Sequence, residues 1–512
     1  MLTLRRALAA TLCCGMLATQ VRAQALPAAV SAALAAAGVP ESAFAAMLLP
    51  LQGGGSWKVQ ADRPMQPAST MKLVTSVVAL DRLGPNHRGF TELLSDAPVQ
   101  GGVLRGDLVL RGGADPDLGV PQLWAMLMEL REQGIEQIDG DLLLDRTRWN
   151  PPRVDQGLPP FDDSPEFPYN QIPDALQLAG GLMTIEISAD EQTVRARSVP
   201  ALHGVDVVSA MTLASGRCVA ADVGWQPAQV TQTTQLTHRT HGTQSGEAVR
   251  IELRGSFPRQ CTRRLQVQLI DRTLLAERLV RTLWAGLGGR WNGQVREAPA
   301  PLAARVLVRR DAPPWGEVMR SMNRRSENPE TRMLFQEIGR HAPRQDMPAG
   351  EAPRTLEMAA REVDRWFDEQ RIDRRGLVMD NGSGLSRSER ITPRQLALLL
   401  QVAWRGRYAS ELAMSLPVFG IDTARLRDSP AAGWARLKDG TLRDVVALAG
   451  YARDAEGRAW VVAAMINHPE AVRARPALTA LVDWLSRRGS TLEDPPLPGE
   501  AERRPGPQGA GP

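Results

Sequence analysis

The chain has 512 residues, 43% of them hydrophobic, which is long enough for two or three domains with substantial cores. Its formal net charge is +4, but Arg5, Arg6 and Arg22 lie in an N-terminal stretch without a single acid. The rest is close to neutral, which removes the electrostatic basis for nucleic-acid binding or attachment to an anionic membrane surface.

Residues 1–23 read as a cleaved signal peptide. Arg5-Arg6 form the basic region, Ala7 to Ala18 an apolar run, and Val21-Arg22-Ala23 a small-residue cleavage site before Gln24. About 12 apolar residues are too few to span a bilayer. No later segment is apolar enough either, so no transmembrane anchor is expected.

Leu26 to Val39 has a helical pattern. Ala43 to Leu51 reads as a buried strand, Gln52 to Ser56 as a turn and Trp57 to Ala61 as a returning strand. An apolar helix begins near Ser69 and runs to about Leu83. From about 90 to 175 glycines separate short apolar runs, with a helix from Trp124 to Gln133 and a strand from Asp141 to Asp145. The Pro-dense stretch 151–173, containing Asp162 and Asp163, is a loop.

Residues 180–265 are rich in Thr, Val and Gln and read as strands. They contain Cys218 and Cys261, the two cysteines left after signal removal. In an exported protein these are a candidate disulfide, with two unpaired thiols as the alternative. Arg272 to Gly286 is helical, and helix-rich texture resumes near 305. Val445 to Tyr451 and Trp460 to Ile466 form a hairpin, followed by an amphipathic helix carrying Leu478, Leu481, Val482 and Leu485. The Pro-rich tail 491–512 is expected to be disordered.

The two ends are alike in character. This predicts one sheet-and-helix domain built from 24–89 and 301–490. The insertion comprises one domain from 90–179 with 266–300 and a second, strand-rich one from 180–265.

Only three residues of the 61 Lys and Arg are lysines: Lys58, Lys72 and Lys438. A buried amine can lose its proton, whereas a guanidinium effectively cannot. Lys72 stands three residues after Ser69 at a helix start, on the same helix face. There a neutral amine can take the serine proton and create a nucleophile for acyl transfer. Ser326-Glu327-Asn328 and Lys438-Asp439-Gly440-Thr441 follow. Each alone reads as a cap or turn; together, in this order, they form a set.

That set resembles the penicillin-recognising acyl-serine enzymes. Pro67 to Thr75, Gly112 to Pro116, Pro168-Tyr169-Asn170, Asp380 to Ser386 and Leu448 to Tyr451 narrow the likeness to the class C low-molecular-mass penicillin-binding proteins. These are D-alanyl-D-alanine carboxypeptidases and endopeptidases of the cell envelope. The resemblance implies an α+β fold, with a transpeptidase-like domain (antiparallel sheet with helices) carrying a large inserted lobe. It implies peptidoglycan stem peptides as substrate, β-lactams as acylating inhibitors, no cofactor or metal, and a periplasmic location. By motif, Ser69 would be the acylated nucleophile and Lys72 its base. Ser326 would relay a proton while held by Lys438, and Asn328 would bind the substrate amide. The N–H groups of Ser69 and Thr441 would form the oxyanion hole, and Gly440 would admit the substrate backbone.

Asp439 departs from the family pattern, which has Thr there. Its charge would repel the terminal carboxylate of D-Ala-D-Ala by on the order of 4 kcal/mol at about 4 Å and an effective dielectric of about 20. Thr441 with Arg436 or Arg443 would offset part of that. Asp439 therefore motivates a second reading, a weakened or inactive peptidoglycan-binding protein of the same fold. A β-lactamase would need a positioned deacylation base, for which no motif exists. His238 and His241 have ligand-like spacing but lack a third ligand. Ser383 lacks the flanking glycines of a nucleophile elbow.

Overall fold

The computed structural model describes residues 25–157, 165–239, 242–343 and 352–488. The expected signal peptide 1–23, the tail 491–512, Asp162, Asp163, His241 and the side chain of His238 lie outside the described residues.

Both ends of the chain contribute to one sheet. In Phe44–Pro50, residues Phe44, Ala46 and Leu48 alternate with Ala45 and Met47, sending two apolar rows to opposite faces. Val445–Arg453 and Ala459–Asn467 have the same two-sided pattern and are almost wholly buried. The five strands lie in the order Arg436–Leu442, Val445–Arg453, Ala459–Asn467, Phe44–Pro50, Trp57–Val59, all antiparallel. Ala46 pairs with Ala464, joining strands from opposite ends of the sequence.

One face packs against the helices Ala28–Ala36 and Arg475–Ser486 through Val30, Leu34, Leu478, Leu481 and Leu485. The other face covers Lys72–Leu83, Asn328–His341 and Pro393–Arg405. The Asp454 carboxylate closes the hairpin turn, accepting the N–H groups of Glu456 and Arg458 and the Trp460 indole.

Arg436–Leu442 is an edge strand. Its outer side begins covered: the Leu437 N–H donates to the Pro417 carbonyl at 3.0 Å and the Ala435 carbonyl accepts from Phe419 at 2.8 Å. Strand alternation then directs the Asp439 and Thr441 N–H groups to that same side, where the Ser69 turn lies.

The insertion holds a second five-stranded sheet, ordered Val295–Glu297, Leu142–Asp145, Leu108–Gly113, Arg88–Ser95, Arg305–Pro314. Its last strand reaches Pro314, beyond the 301 read from sequence texture, because Arg305, Arg309 and Arg310 hide any apolar alternation. Met183–Ala189 pairs with Val194–Ser198 and Cys261–Val267. Gly242–Pro258 pairs with Val205–Ser209, Thr212–Ala214 and Gly224–Arg239. A Cys218–Cys261 disulfide, with Cα atoms 5.3 Å apart, ties these two groups of strands together. One apolar cluster runs from Leu93 to Val308 and joins the whole insertion.

Glu337 anchors the insertion to the rest. Its carboxylate, on the Asn328–His341 helix, accepts Arg148 Nε at 2.9 Å, Arg148 Nη2 at 2.6 Å and Trp149 Nε1 at 2.8 Å. His87 Nε2 lies 3.1 Å away. Burial alone would push this carboxyl up, but Arg148 and His87 hold it down at about 2. His341 stands beside the pair, but with Arg148 on both carboxylate oxygens the group offers no cation site.

Candidate active site

Pro67 precedes a left-handed Ala68 (φ 46°), a tight 3₁₀ turn over Ala68–Met71, and the Lys72–Leu83 helix. A β-carbon on Gly384 would sit 1.8 Å from the Ala68 carbonyl oxygen, and one on Gly440 would sit 2.7 Å from the Ser69 nitrogen. The half-buried Ser69 is thus pinched between the Asp380–Leu385 loop and the edge strand, and only glycine permits either approach.

Lys72 is wholly buried. Its Nζ donates to Asn328 Oδ1 at 2.6 Å and to the Ser383 carbonyl at 2.6 Å, and lies 3.0 Å from Ser69 Oγ. The first two partners are pure acceptors. The Asn328 amide is oriented by its other end, which donates to the Tyr169 carbonyl at 2.8 Å. Two of the three directions about Nζ are thereby fixed, and the third faces Ser69 Oγ, where a neutral amine would carry its lone pair. Burial drives the Lys72 amine well below its ordinary range. Lys438 and Arg332 push the same way, while Glu389 and Glu327 oppose them.

Ser326 is the left-handed end (φ 62°) of the Trp315–Arg325 helix, and the Asn328–His341 helix starts two residues later. Asn323, fully buried, fixes that corner by donating to Ser76 Oγ and Ser415 Oγ. Glu327, the middle residue of the motif, is pushed up by burial. Beside it opens a cavity of about 790 Å³ bounded by Pro168, Gln177, Glu327 and Glu330.

Lys438 is buried, and its Nζ donates to the Asp439 carbonyl at 2.7 Å and approaches Asp439 Oδ1 at 3.5 Å. Among the described residues no hydrogen bond joins it to Ser326, so the pairing read from the motifs is not present in this structure. Burial lowers the Lys438 amine. Burial would raise the Asp439 carboxyl, but Lys438 and Arg425 outweigh it and the net shift is downward. Arg425 Nη2 lies 2.6 Å from Asp439 Oδ2. Asp439 is therefore paired with Arg425, a cation that the sequence had not singled out. Arg436 Nη1 instead reaches the Ala413 carbonyl at 3.5 Å. A second guanidinium, Arg475, donates to Thr441 Oγ1 at 2.9 Å.

Three segments far apart in sequence thus converge: Lys72 beside Ser69 Oγ, Asn328 of the second motif on the Lys72 amine, and the edge strand at Gly440 against the Ser69 nitrogen, with Arg425 and Arg475 along it. This arrangement suits acyl transfer to a serine from a substrate that ends in a carboxylate. Residues 26–488 match the D-Ala-D-Ala carboxypeptidase 3 (S13) family. The chain belongs to that family.

As an S13 protein it is a serine-type D-alanyl-D-alanine carboxypeptidase of peptidoglycan. It is 25% identical over 411 residues to the D-alanyl-D-alanine carboxypeptidase DacB of Haemophilus influenzae, covering 79% of this chain and 80% of that one. It is 28% identical over 461 residues to the D-alanyl-D-alanine carboxypeptidase of Actinomadura sp. (strain R39), covering 87% of this chain and 80% of the relative. The crystal structure of penicillin binding protein 4 from H. influenzae superposes with a TM-score of 0.71 at 22% identity, covering 90% of this chain and 99% of that one. The fold is accordingly the α+β penicillin-binding-protein fold with extra domains that the motif set led us to expect.

Four contributors escaped the sequence reading: the Ser383 and Tyr169 carbonyls, Arg425 and Arg475. Backbone carbonyls have no sequence signature, and two arginines among 58 carry no signal. The one usable clue was the Asp380 to Ser386 run, which the family resemblance had already marked.

Proposed function

We propose that Ser69 is the residue acylated by peptidoglycan stem peptides and Lys72 the base that activates it. Ser69 Oγ gives its proton to Lys72 Nζ and attacks the carbonyl of the penultimate D-Ala. The N–H groups of Ser69 and Thr441 receive the developing oxyanion, which the outward direction of the Thr441 N–H supports. The proton returns through Ser326 to the leaving amine, and water then frees the acyl group. Asn328 holds Lys72 and meets the substrate amide. Arg425 and Arg475 attract the terminal carboxylate, with Asp439 serving to orient Arg425.

Because Asp439 is paired, the reading as an inactive binding protein loses its motive. The H. influenzae penicillin binding protein 4 whose fold is shared is also known complexed with a β-lactam. We extend that ligand class to this chain, together with cross-link cleavage, export by the 1–23 segment and a periplasmic location. The transpeptidase-like domain in this reading comprises both chain ends, with 90–179, 180–265 and 266–300 as the inserted lobe.

The observation that carries the reading is the Lys72 amine, buried, fixed by two acceptors and 3.0 Å from Ser69 Oγ. A fluorescent penicillin should label the wild-type protein covalently and leave Ser69→Ala unlabelled, with D-Ala released from a pentapeptide only by the wild type. An unlabelled wild type, or a labelled Ser69→Ala, would sink it.

A further inference from the structure

Glu389 is completely buried behind the Ser69 turn. Its Oε1 accepts the N–H groups of Asp380, Asn381 and Gly382 at 3.3, 3.1 and 2.7 Å, and Oε2 accepts that of Gly384 at 2.8 Å. Four N–H groups from one short loop converge on a single carboxyl group, a concave nest of donors. A carboxylate can accept all four. An amide would turn a donor of its own against one of them, so the nest suits the ionised form, although burial shifts this carboxyl upward overall.

The outer side of the same loop grips the catalytic turn. The Ser383 carbonyl accepts Lys72 Nζ at 2.6 Å, the Gly382 carbonyl accepts Thr75 Oγ1 at 2.7 Å, and Gly384 abuts the Ala68 carbonyl. Asn381 Oδ1 locks the loop from within by accepting the Ser383 N–H and Oγ–H.

We infer that Glu389 is a positioning residue for acylation: it holds the 380–384 loop in the shape that aims the Ser383 carbonyl at Lys72, and its charge helps set the pH at which Lys72 is neutral. The inference rests on Lys72 being the base for Ser69. The charged groups facing the Lys72 amine are Lys438 from the edge strand, Arg332, Glu327 and Glu330 from the second-motif helix and its start, and Glu389 from the loop; burial pushes Glu330 up to about 7. Glu389 itself faces Arg332 and Asp380. Its negative charge favours the protonated amine. Removing it lowers the Lys72 pKa further, so the acidic limb of the acylation rate must move to lower pH.

The test is the rate of labelling by a fluorescent penicillin, followed from acid to alkaline pH in full-length wild type, Glu389→Gln and Glu389→Asp, with thermal melts of each. Labelling of wild type but not Ser69→Ala establishes the underlying reading independently; if wild type does not label, that reading fails whatever Glu389 does. Given an active wild type, Glu389→Gln should remain folded and lose about tenfold or more in plateau rate. Its acidic limb should shift to lower pH. Glu389→Asp, which keeps the charge but shortens the reach, should lose rate with its limb in place. A Gln variant within about twofold of wild type would overturn the inference. So would a limb that stays put or moves to higher pH, which marks a merely structural role, or loss of the folded state in both variants.

Discussion

Lys72 Nζ donates to two fixed acceptors and spends its remaining direction on Ser69 Oγ, a geometry that suits an amine and no other basic side chain. Replacement by arginine keeps a positive charge that cannot be shed, so Lys72→Arg should acylate at least about 10³-fold more slowly while melting near the wild-type temperature. Penicillin labelling kinetics and a thermal melt check both halves. The Asp439–Arg425 pair makes the opposite kind of prediction. Both side chains are about one-third exposed, so solvent screening reduces the repulsion expected from an isolated Asp439. Arg425→Ala should still cost about 10- to 100-fold in kcat/KM for a D-Ala-D-Ala peptide, mostly in KM. Asp439→Thr added to it should recover most of that loss. Equal losses in the single and double variants would show that Asp439 does not bear on substrate. At this scale the sequence named Ser69, Lys72 and the third motif, because scarcity of lysine made each one conspicuous. It could not name Arg425, since which of many arginines folds over a given aspartate depends on the path of the 417–435 loop.

The elements that frame the site are an edge strand, a 3₁₀ turn and a loop, each shaped by contacts outside itself. Gly384 illustrates this. Its φ of 81° and the 1.8 Å approach of a would-be β-carbon to the Ala68 oxygen leave no room for a side chain. Gly384→Ala should therefore displace the Ser69 turn, reducing penicillin labelling more than about 100-fold while destabilising the fold by roughly 1–3 kcal/mol. A chemical-denaturation curve together with labelling separates the two effects. Periodicity located the regular elements well: the Arg272–Gly286 helix and the closing hairpin stand where the apolar spacing put them. It missed Arg305–Pro314 as a strand, because that strand is half exposed and carries arginines where alternation would have revealed it. The sequence showed Ser326 as a motif residue in a triplet that alone reads as a cap or turn. That it caps a helix in a left-handed conformation follows from the corner fixed by Asn323.

Across the whole molecule, Glu337 couples the insertion to the catalytic half through Arg148, Trp149 and His87. Its folded-state pKa of about 2 lies below the ordinary 4.5, so its stabilising contribution is fully present above about pH 4.5 and is lost as pH falls toward 2. The difference corresponds to on the order of 3 kcal/mol. Glu337→Gln should lower stability at pH 7 by a similar amount and flatten the acid limb of the stability curve, measured by denaturation between pH 2 and 7. An acid limb identical to wild type would show that the anchor does not bear this load. The sequence by itself determined the family chemistry and the two-ended plan of the main sheet. Motif order and apolar alternation are properties of residues in line, and they survive without coordinates. Only the tertiary structure decided what holds the Lys72 amine, which guanidinium pairs with Asp439, and which buried carboxyl group gathers the loop behind Lys72. Those outcomes depend on burial and on atoms brought within 3 Å from positions as far apart as 72, 328 and 383, distances that no local pattern encodes.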